Sequence, residues 1–212
     1  YSAIYVNNLR RRSWIMEPQL SWNKELGNAT VDVLMGATFQ SQTSKKQLAY
    51  ATGFSSNSLL YDLSAASQVL IRNNEEIDYK YQAFFFFSYY SYAKKYIINV
   101  TARRDGSSRF ASGNQFSTFG ALGAAWLFHK EDFLKSTERF LSFGKLRASY
   151  GITGSDQIGD YQYLDTYSSS GISYGGIIGL QPSRLYNTNF GWESNKKLEV
   201  ALELGFLNDR IL

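Results

Sequence analysis

The sequence of 212 residues contains no cysteine, one histidine and two prolines. Without cysteine it can form neither a disulfide framework nor a thiolate metal site. No run of about 18 apolar residues occurs, which excludes a transmembrane helix. The one histidine, His129, lies in a predicted turn, whereas a triad or a general base would need it beside a nucleophile. We therefore predict no catalytic residue, no metal site and no cofactor.

Aromatic residues, by contrast, make up 17% of the chain, with 16 Tyr and 15 Phe. From residue 79 to 105 apolar residues recur at every second position, which indicates two β-strands with one apolar and one polar face. On the first strand Tyr lies at both ends and Phe in the middle, as expected for a strand that crosses a bilayer. The residues predicted to face lipid are Tyr79, Tyr81, Ala83, Phe85, Phe87, Tyr89, Tyr96, Ile98, Val100 and Ala102.

The same alternation predicts about seven strands in all. Besides these two, we expect strands near residues 13–26, 29–42, 116–128, 142–152 and 196–206, with an irregularity at Pro18. The links at 27–28, 93–95 and 207–210 are short, whereas long links cover 43–78 and 153–195. Outer-membrane barrels have this asymmetry, with short periplasmic turns and long extracellular loops. The sequence thus predicts an all-β fold, in which residues 1–212 form part of an antiparallel transmembrane β-barrel.

Charged residues on the polar side of the later strands are predicted to face the barrel lumen. These are Arg103, Lys145, Arg147, Lys197, Glu199 and Glu203. Because the strands near 142–152 and 196–206 are expected to be neighbours, their opposite charges can pair across the ladder. The 153–195 loop carries four tyrosines, which we predict either to contact a ligand or partner or to pack against neighbouring loops. These are Tyr161, Tyr163, Tyr167 and Tyr174.

Six segments, read in order, resemble the barrel region of SusC/RagA-type TonB-linked (TonB-dependent) outer-membrane proteins over roughly residues 75–212. They are 103–110 (RRDGSSRF), 119–126 (FGALGAAW), 145–154 (KLRASYGITG), 157–161 (QIGDY), 189–193 (NFGWE) and 204–211 (LGFLNDRI). The resemblance implies a barrel of about 22 strands that encloses a plug domain. It also implies a nutrient importer for glycans or peptides in the outer membrane of a Gram-negative bacterium.

The partners implied by this resemblance are a SusD-like surface lipoprotein and the TonB complex, in addition to outer-membrane lipid. We expect the chain to be a piece of a longer protein, with the plug and the TonB box outside it. The lumen-facing charges then have a second interpretation, as contacts with the plug. A passive porin-type barrel and a soluble β-sandwich that binds carbohydrate are the alternatives. A single-stranded nucleic-acid binder is not favoured, because the aromatic residues are expected to face away from the charges.

Overall fold

The computed structural model describes residues 2–137, 140–207 and 210, and its regular structure is almost entirely β. The strands are β1 (Ala3–Met16), β2 (Gln19–Leu26), β3 (Ala29–Thr52), β4 (Gln68–Tyr92), β5 (Tyr96–Ser107), β6 (Phe116–Trp126), β7 (Leu141–Ser155), β8 (Thr166–Tyr174), β9 (Ile177–Arg184) and β10 (Glu193–Phe206). The short 3-10 helices are Asn57–Leu59, Leu63–Ala65, Phe128–Lys130 and Asp132–Thr137. Within the described residues, none of these helices has the length and apolar character needed to cross a membrane.

Eight strands form one sheet in the order β1, β3, β4, β5, β6, β7, β10, and β2 also pairs with β3. The strands β8 and β9 form a separate two-stranded sheet. The predicted all-β fold is confirmed, and the main sheet has the predicted seven strands if β1 and β2 are taken as one interrupted strand. The chain divides into two compact units, one made of Tyr1–Met16 with Gln40–Lys80 and the other of Glu17–Phe39 with Tyr81–Leu212.

In the first unit the strands extend much further than the alternation predicts. The predicted loop over residues 43–78 is wrong in its extent, because β3 continues to Thr52 and β4 already begins at Gln68. Only residues 53–67 connect the two strands, and they contain the first two 3-10 helices. The extracellular position of this connection stays a prediction.

The alternation is lost here because polar residues occupy both faces of the two strands. Cross-strand polar pairs take the place of apolar packing. The Nζ atom of Lys45 lies 2.7 Å from a carboxylate oxygen of Glu76, and the Thr43 hydroxyl donates to Asp78 at 2.7 Å. A search for period-two apolar residues therefore ends both strands too early.

Proline interrupts the first predicted strand, as its chemistry predicts. Residues 17 and 18 separate β1 from β2, and the carbonyl of Pro18 accepts a hydrogen bond from the Ala37 amide at 3.0 Å. Proline has no amide hydrogen for the ladder, so a continuous strand cannot pass through it. β1 begins at Ala3 rather than near residue 13. The sequence does not predict this start, because residues 7–12 (NNLRRR) show no alternation of apolar and polar side chains.

The short turns of the second unit meet at one end of the sheet. Ala93 and Lys94 both have positive φ, at 52° and 53°, and form the tight turn between β4 and β5. The Ala93 amide donates to the carbonyl of Asn28 at 2.7 Å, and the Leu127 amide donates to Lys95 at 2.8 Å. The predicted clustering of the 27–28 and 93–95 turns is therefore observed. Residues 208 and 209 of the third predicted turn lie outside the described residues.

A carboxylate joins the side chains at this turn end. Glu131 accepts hydrogen bonds from the Tyr96 hydroxyl at 2.6 Å, the Trp126 indole at 3.0 Å and the Lys95 ammonium group at 3.1 Å. Hydrogen bonds to the ionised form stabilise it, and these three lower the pKa of Glu131 to about 2, with the bond from Tyr96 the largest cause. Glu131 thereby ties the β4–β5 turn to the segment that follows β6.

The stability of the protein is expected to fall between pH 4.5 and pH 2 through Glu131. Because the folded state lowers this pKa from 4.5 to about 2, the stabilisation is complete above pH 4.5 and is lost as the pH approaches 2. Unfolding of the full-length protein, followed by tryptophan fluorescence, measures this loss. Glu131→Gln should flatten the acid dependence, and an unchanged dependence in this variant would contradict the assignment.

Candidate functional site: the charged face of the sheet

The register of β5, β6, β7 and β10 assigns each side chain to one of two faces. Residues directly opposite each other in an antiparallel pair point to the same side of the sheet. Arg103 lies opposite Phe119, and Ala125 lies opposite Arg147. Lys145 lies opposite Glu203, and Ser149 opposite Glu199. Odd-numbered residues of these strands therefore share one face, up to the irregularity at Gly205, and this face carries all six predicted charged residues. That it lines a lumen stays a prediction.

Even-numbered residues form the other face, which is apolar and exposed. Its central part consists of Ile98, Val100, Leu122, Ala124, Leu146, Ala148, Leu198, Val200 and Leu202. The exposed fraction is 57% for Leu122 and 72% for Leu198. A soluble β-sandwich would bury such a face, so the sandwich alternative does not fit this sheet. A soluble protein rarely exposes a contiguous apolar surface of this kind without a partner or a membrane to cover it.

The predicted orientation of the aromatic strand is wrong. Phe85 lies opposite Arg103, and Ala83 lies opposite Asp105, so the odd-numbered residues of β4 belong to the charged face. The Phe85 ring covers Gly36, where no room is left for a side chain. Phe84 is instead on the apolar face, 6.0 Å from the Phe39 ring and half exposed. Aromatic residues therefore occur beside the charges, and the stated reason against nucleic-acid binding does not hold for this strand.

On the charged face five side chains of β7 and β10 form a ladder of ion pairs. Arg147 contacts Glu199 and places its Nε atom 2.7 Å from Glu203. Lys145 lies 3.3 Å from the second oxygen of Glu203, and Lys197 lies 3.5 Å from Glu199. Each carboxylate is shared by two cations, so the structure brings these five predicted residues together. The predicted cross-strand pairing is thus observed.

A shallow cavity of about 300 Å³ adjoins this ladder. It is lined by Tyr89, Asn99, Lys145, Arg147 and Ser149, among other residues of β4 to β7. The side-chain oxygen of Asn99 is buried there and has no hydrogen-bond partner within the described part of the chain. A buried acceptor normally finds a donor. The cavity is therefore suited to receive an N–H or O–H group from a ligand or from another part of the protein.

Arg103 lies apart from the ladder. Its Nε atom is 2.5 Å from Asp105, and its second terminal nitrogen donates to the Tyr81 hydroxyl at 2.5 Å. Asp105 is buried, so this pair compensates a carboxylate removed from water. Arg103, the sixth predicted residue, thus belongs to a separate cluster with Tyr81 and Asp105. This cluster lies near the end of β5 that is opposite the short turns.

Comparison with known proteins finds relatives of this chain among TonB-dependent receptors. No family model matches the sequence. The chain is 31% identical over 200 residues to TonB-dependent receptor P3 of Formosa agariphila, an alignment that covers 93% of this chain and 20% of the receptor. It is 37% identical over 138 residues to TonB-dependent receptor SusC of Bacteroides thetaiotaomicron, covering 58% of this chain and 13% of SusC.

The fold agrees with that of a solved structure. The RagAB peptide importer in its closed-closed state superposes with a TM-score of 0.82 at 24% identity, over 97% of this chain and 23% of that chain. The chain belongs to the SusC/RagA-type TonB-dependent receptors. It forms part of their β-barrel and spans about a fifth of the length of the curated relatives it matches.

In this receptor segment a polar clamp holds the base of the 153–195 loop. Arg109 donates to Asp160 at 3.0 Å and to the backbone carbonyl of Asp156 at 3.0 Å. The Ser107 hydroxyl donates to the Asp156 carboxylate at 2.7 Å. The family-like segment 103–110 therefore anchors a loop that begins about 50 residues later in the chain. Sequence patterns could not reveal these partners, because the clamp depends on which strand ends become neighbours.

An aromatic cluster supports the same loop from its other end. Phe110 is fully buried, and its ring lies 5.2 Å from that of Trp192. Trp192 also contacts Phe119 at 5.5 Å and donates its indole N–H to the carbonyl of Gln115 at 3.1 Å. Both ends of the 153–195 loop are thereby fixed to the segment between β5 and β6.

The four predicted tyrosines divide into two pairs. Tyr161 and Tyr163 are half-buried at the base of the loop, where Arg184 donates to the carbonyl of Tyr161 at 3.2 Å. Tyr167 and Tyr174 lie on the β8–β9 hairpin, and Tyr174 is 92% exposed. Only this second pair of the receptor segment is placed to contact a ligand or partner. That contact stays a prediction.

Proposed function

We propose that the protein containing this chain is a TonB-dependent importer in the outer membrane of a Gram-negative bacterium. The main observation behind this proposal is that nearly the whole chain aligns with receptors of this class. The two-faced sheet supports it, because a barrel wall needs one face for lipid and one for water. The named relatives are receptors and transporters, and we propose no catalytic step for this segment.

The proposal assigns the even-numbered face to lipid and the odd-numbered face to the lumen. The exposed leucines and valines of the even-numbered face suit hydrocarbon, and the ion-pair ladder suits a wet interior. Tyr92, Tyr96 and Trp126 form one row at the turn end. Amphipathic aromatic residues are enriched at membrane interfaces, so this row is assigned to the periplasmic boundary. The connections at 53–67 and 156–192 are then extracellular.

The partners follow from the same assignment. A SusD-like surface lipoprotein would cover the extracellular end, and the TonB complex would act through parts outside this chain. The substrate class is an oligosaccharide or a peptide; RagAB is described as a peptide importer. Tyr167 and Tyr174 are proposed to contact the substrate or the lipoprotein. The ion-pair ladder primarily holds the wall, and its cavity beside Asn99 is available to the plug.

An uptake experiment tests this function. Cells that produce the full-length protein with its lipoprotein are given fluorescein-labelled oligosaccharides or peptides, with and without a protonophore. Because TonB transmits energy from the inner membrane, we expect the protonophore to reduce accumulation at least tenfold while surface binding persists. Deletion of the TonB box should have the same effect.

The passive porin-type barrel predicts a different result. Diffusion through an open channel needs no energy, so accumulation would continue with the protonophore present and without the TonB box. That outcome would support the porin-type barrel and contradict the proposed importer. Loss of uptake only when the lipoprotein is removed would support the proposed partnership separately.

A further inference from the structure

The apolar face of the second unit carries charge of only one sign. In the strand segments within 19–39, 81–107, 116–126, 141–155 and 193–206, the charged residues on this face are Lys24, Arg104 and Lys196. None of the carboxylates described in these segments points to that side. The opposite face carries both signs in close pairs. A single sign on one face is therefore not explained by ion pairing within the sheet.

Arg104 is held in place but keeps its donors free for a ligand. Its guanidinium lies over the Phe116 ring, 5.6 Å from the ring centroid, and the side chain is exposed. The register places it opposite Phe84 and Thr118, neither of which is an anion. A guanidinium stacked on a ring still presents its N–H groups at the edge, in a geometry that matches phosphate.

Lys196 lies near the same margin of the apolar face. Lys196 lies opposite Ile152, Ile152 lies opposite Gly120, and Gly120 lies opposite Ala102. Lys196 is therefore level with Ala102, which is two residues nearer the turn end than Arg104. Arg104 is about eight residues from Tyr96, which at ~3.3 Å per residue and a tilt of ~40° corresponds to roughly 20 Å of membrane depth. The apolar band of such barrels is about 25 Å tall. By the same measure Lys196, level with Ala102, lies roughly 15 Å from Tyr96. Both cations therefore lie in the outer half of that band, and their long side chains can extend toward its far boundary.

We propose that Arg104 and Lys196 each bind the phosphate headgroup of a membrane lipid at the extracellular boundary of the barrel. The surrounding surface selects this ligand, because Arg104 borders the exposed rings of Phe84 and Phe116 and Lys196 is two residues from the exposed Leu198. Only an amphiphile supplies an anion and acyl chains at adjacent positions. Lysine reaches the boundary by extending its charged end past the apolar surface. The proposal rests on the assignment of this face to lipid.

Neighbouring residues provide a matched control. Arg103 and Lys197 have the same side chains as Arg104 and Lys196 but point to the opposite face. The full-length protein and the doubles Arg104→Gln/Lys196→Gln and Arg103→Gln/Lys197→Gln are purified in detergent. Native mass spectrometry then compares bound phosphatidylglycerol with phosphatidylcholine of the same chains. Resistance to SDS at room temperature reports whether each barrel is assembled.

We expect only Arg104→Gln/Lys196→Gln to lose its preference for the anionic lipid. Each cation near an anionic surface changes binding about fivefold, so the double should lose roughly 25-fold. Arg104→Lys should retain most of the preference. Equal binding by both doubles, or equal loss in both, would overturn the proposal, as would displacement of the lipid by millimolar inorganic phosphate alone. Uptake is measured separately, so an assembled lipid-binding barrel without import would reject only the proposed function.

Discussion

Leu122→Arg in the full-length protein is expected to lower the free energy of unfolding in lipid vesicles by about 2–4 kcal/mol, the penalty for a cation at the bilayer midplane of a barrel. Leu122 lies midway along β6, opposite Val100 and Tyr150, and is 57% exposed on the apolar face. Reversible urea unfolding followed by tryptophan fluorescence measures the change. The effect is large because an arginine there has no water and no carboxylate within reach.

Ser149→Arg is the control at a similar depth. Ser149 is exposed on the charged face and lies opposite Glu199, so an arginine there gains an anion and a wet surface. We expect a change below about 1 kcal/mol, the size of an exposed ion pair. Equal penalties at both positions would mean that the face assigned to lipid does not contact a bilayer.

Phe110→Ala is expected to destabilise the protein by about 3–5 kcal/mol, the usual cost of removing a buried aromatic side chain. Phe110 is 0% exposed, and its removal leaves a cavity beneath Trp192, whose ring lies 5.2 Å away. The base of the 153–195 loop should loosen with it. Urea unfolding gives the energy, and limited proteolysis on intact cells gives the rate of cleavage within 156–192.

Phe133→Ala provides the comparison for this substitution. Phe133 is 70% exposed in the 3-10 helix Asp132–Thr137, which follows β6 at the turn end of the sheet. Its removal should change stability by less than about 0.5 kcal/mol, as for ordinary surface substitutions. If Phe110→Ala were equally mild, or if it left loop cleavage unchanged, the aromatic cluster would not be the anchor described above.

The sequence predicts the strands of this sheet better than it predicts their faces. Residues 84–87 are all Phe, so both sides of β4 are aromatic and alternation cannot distinguish them. The faces are decided by the neighbouring strand, because Arg103 and Asp105 must share the side of Phe85 and Ala83. On β7 and β10 every charged residue except Lys196 lies on one face, and there the sequence alone identifies the partners of the ion-pair ladder correctly.

Strand ends and loop anchors are the parts that the sequence could not provide. The polar extensions of β3 and β4 contain Lys45 and Glu76 rather than alternating apolar residues, and they read as a loop until the pairing is known. The clamp formed by Ser107, Arg109 and Asp156 joins residues 47 or more positions apart. Such contacts follow from the order of strands in the sheet, which local patterns do not encode.

The way the long loop is fastened has an evolutionary consequence. Its polar and aromatic anchors lie at residues 156–160 and at Trp192, whereas the β8–β9 hairpin forms a sheet of its own. Mutations in the hairpin therefore leave the anchors and the barrel wall intact. Selection can change what the hairpin recognises while the stability of the wall is preserved, so a lineage can acquire new specificities from one scaffold.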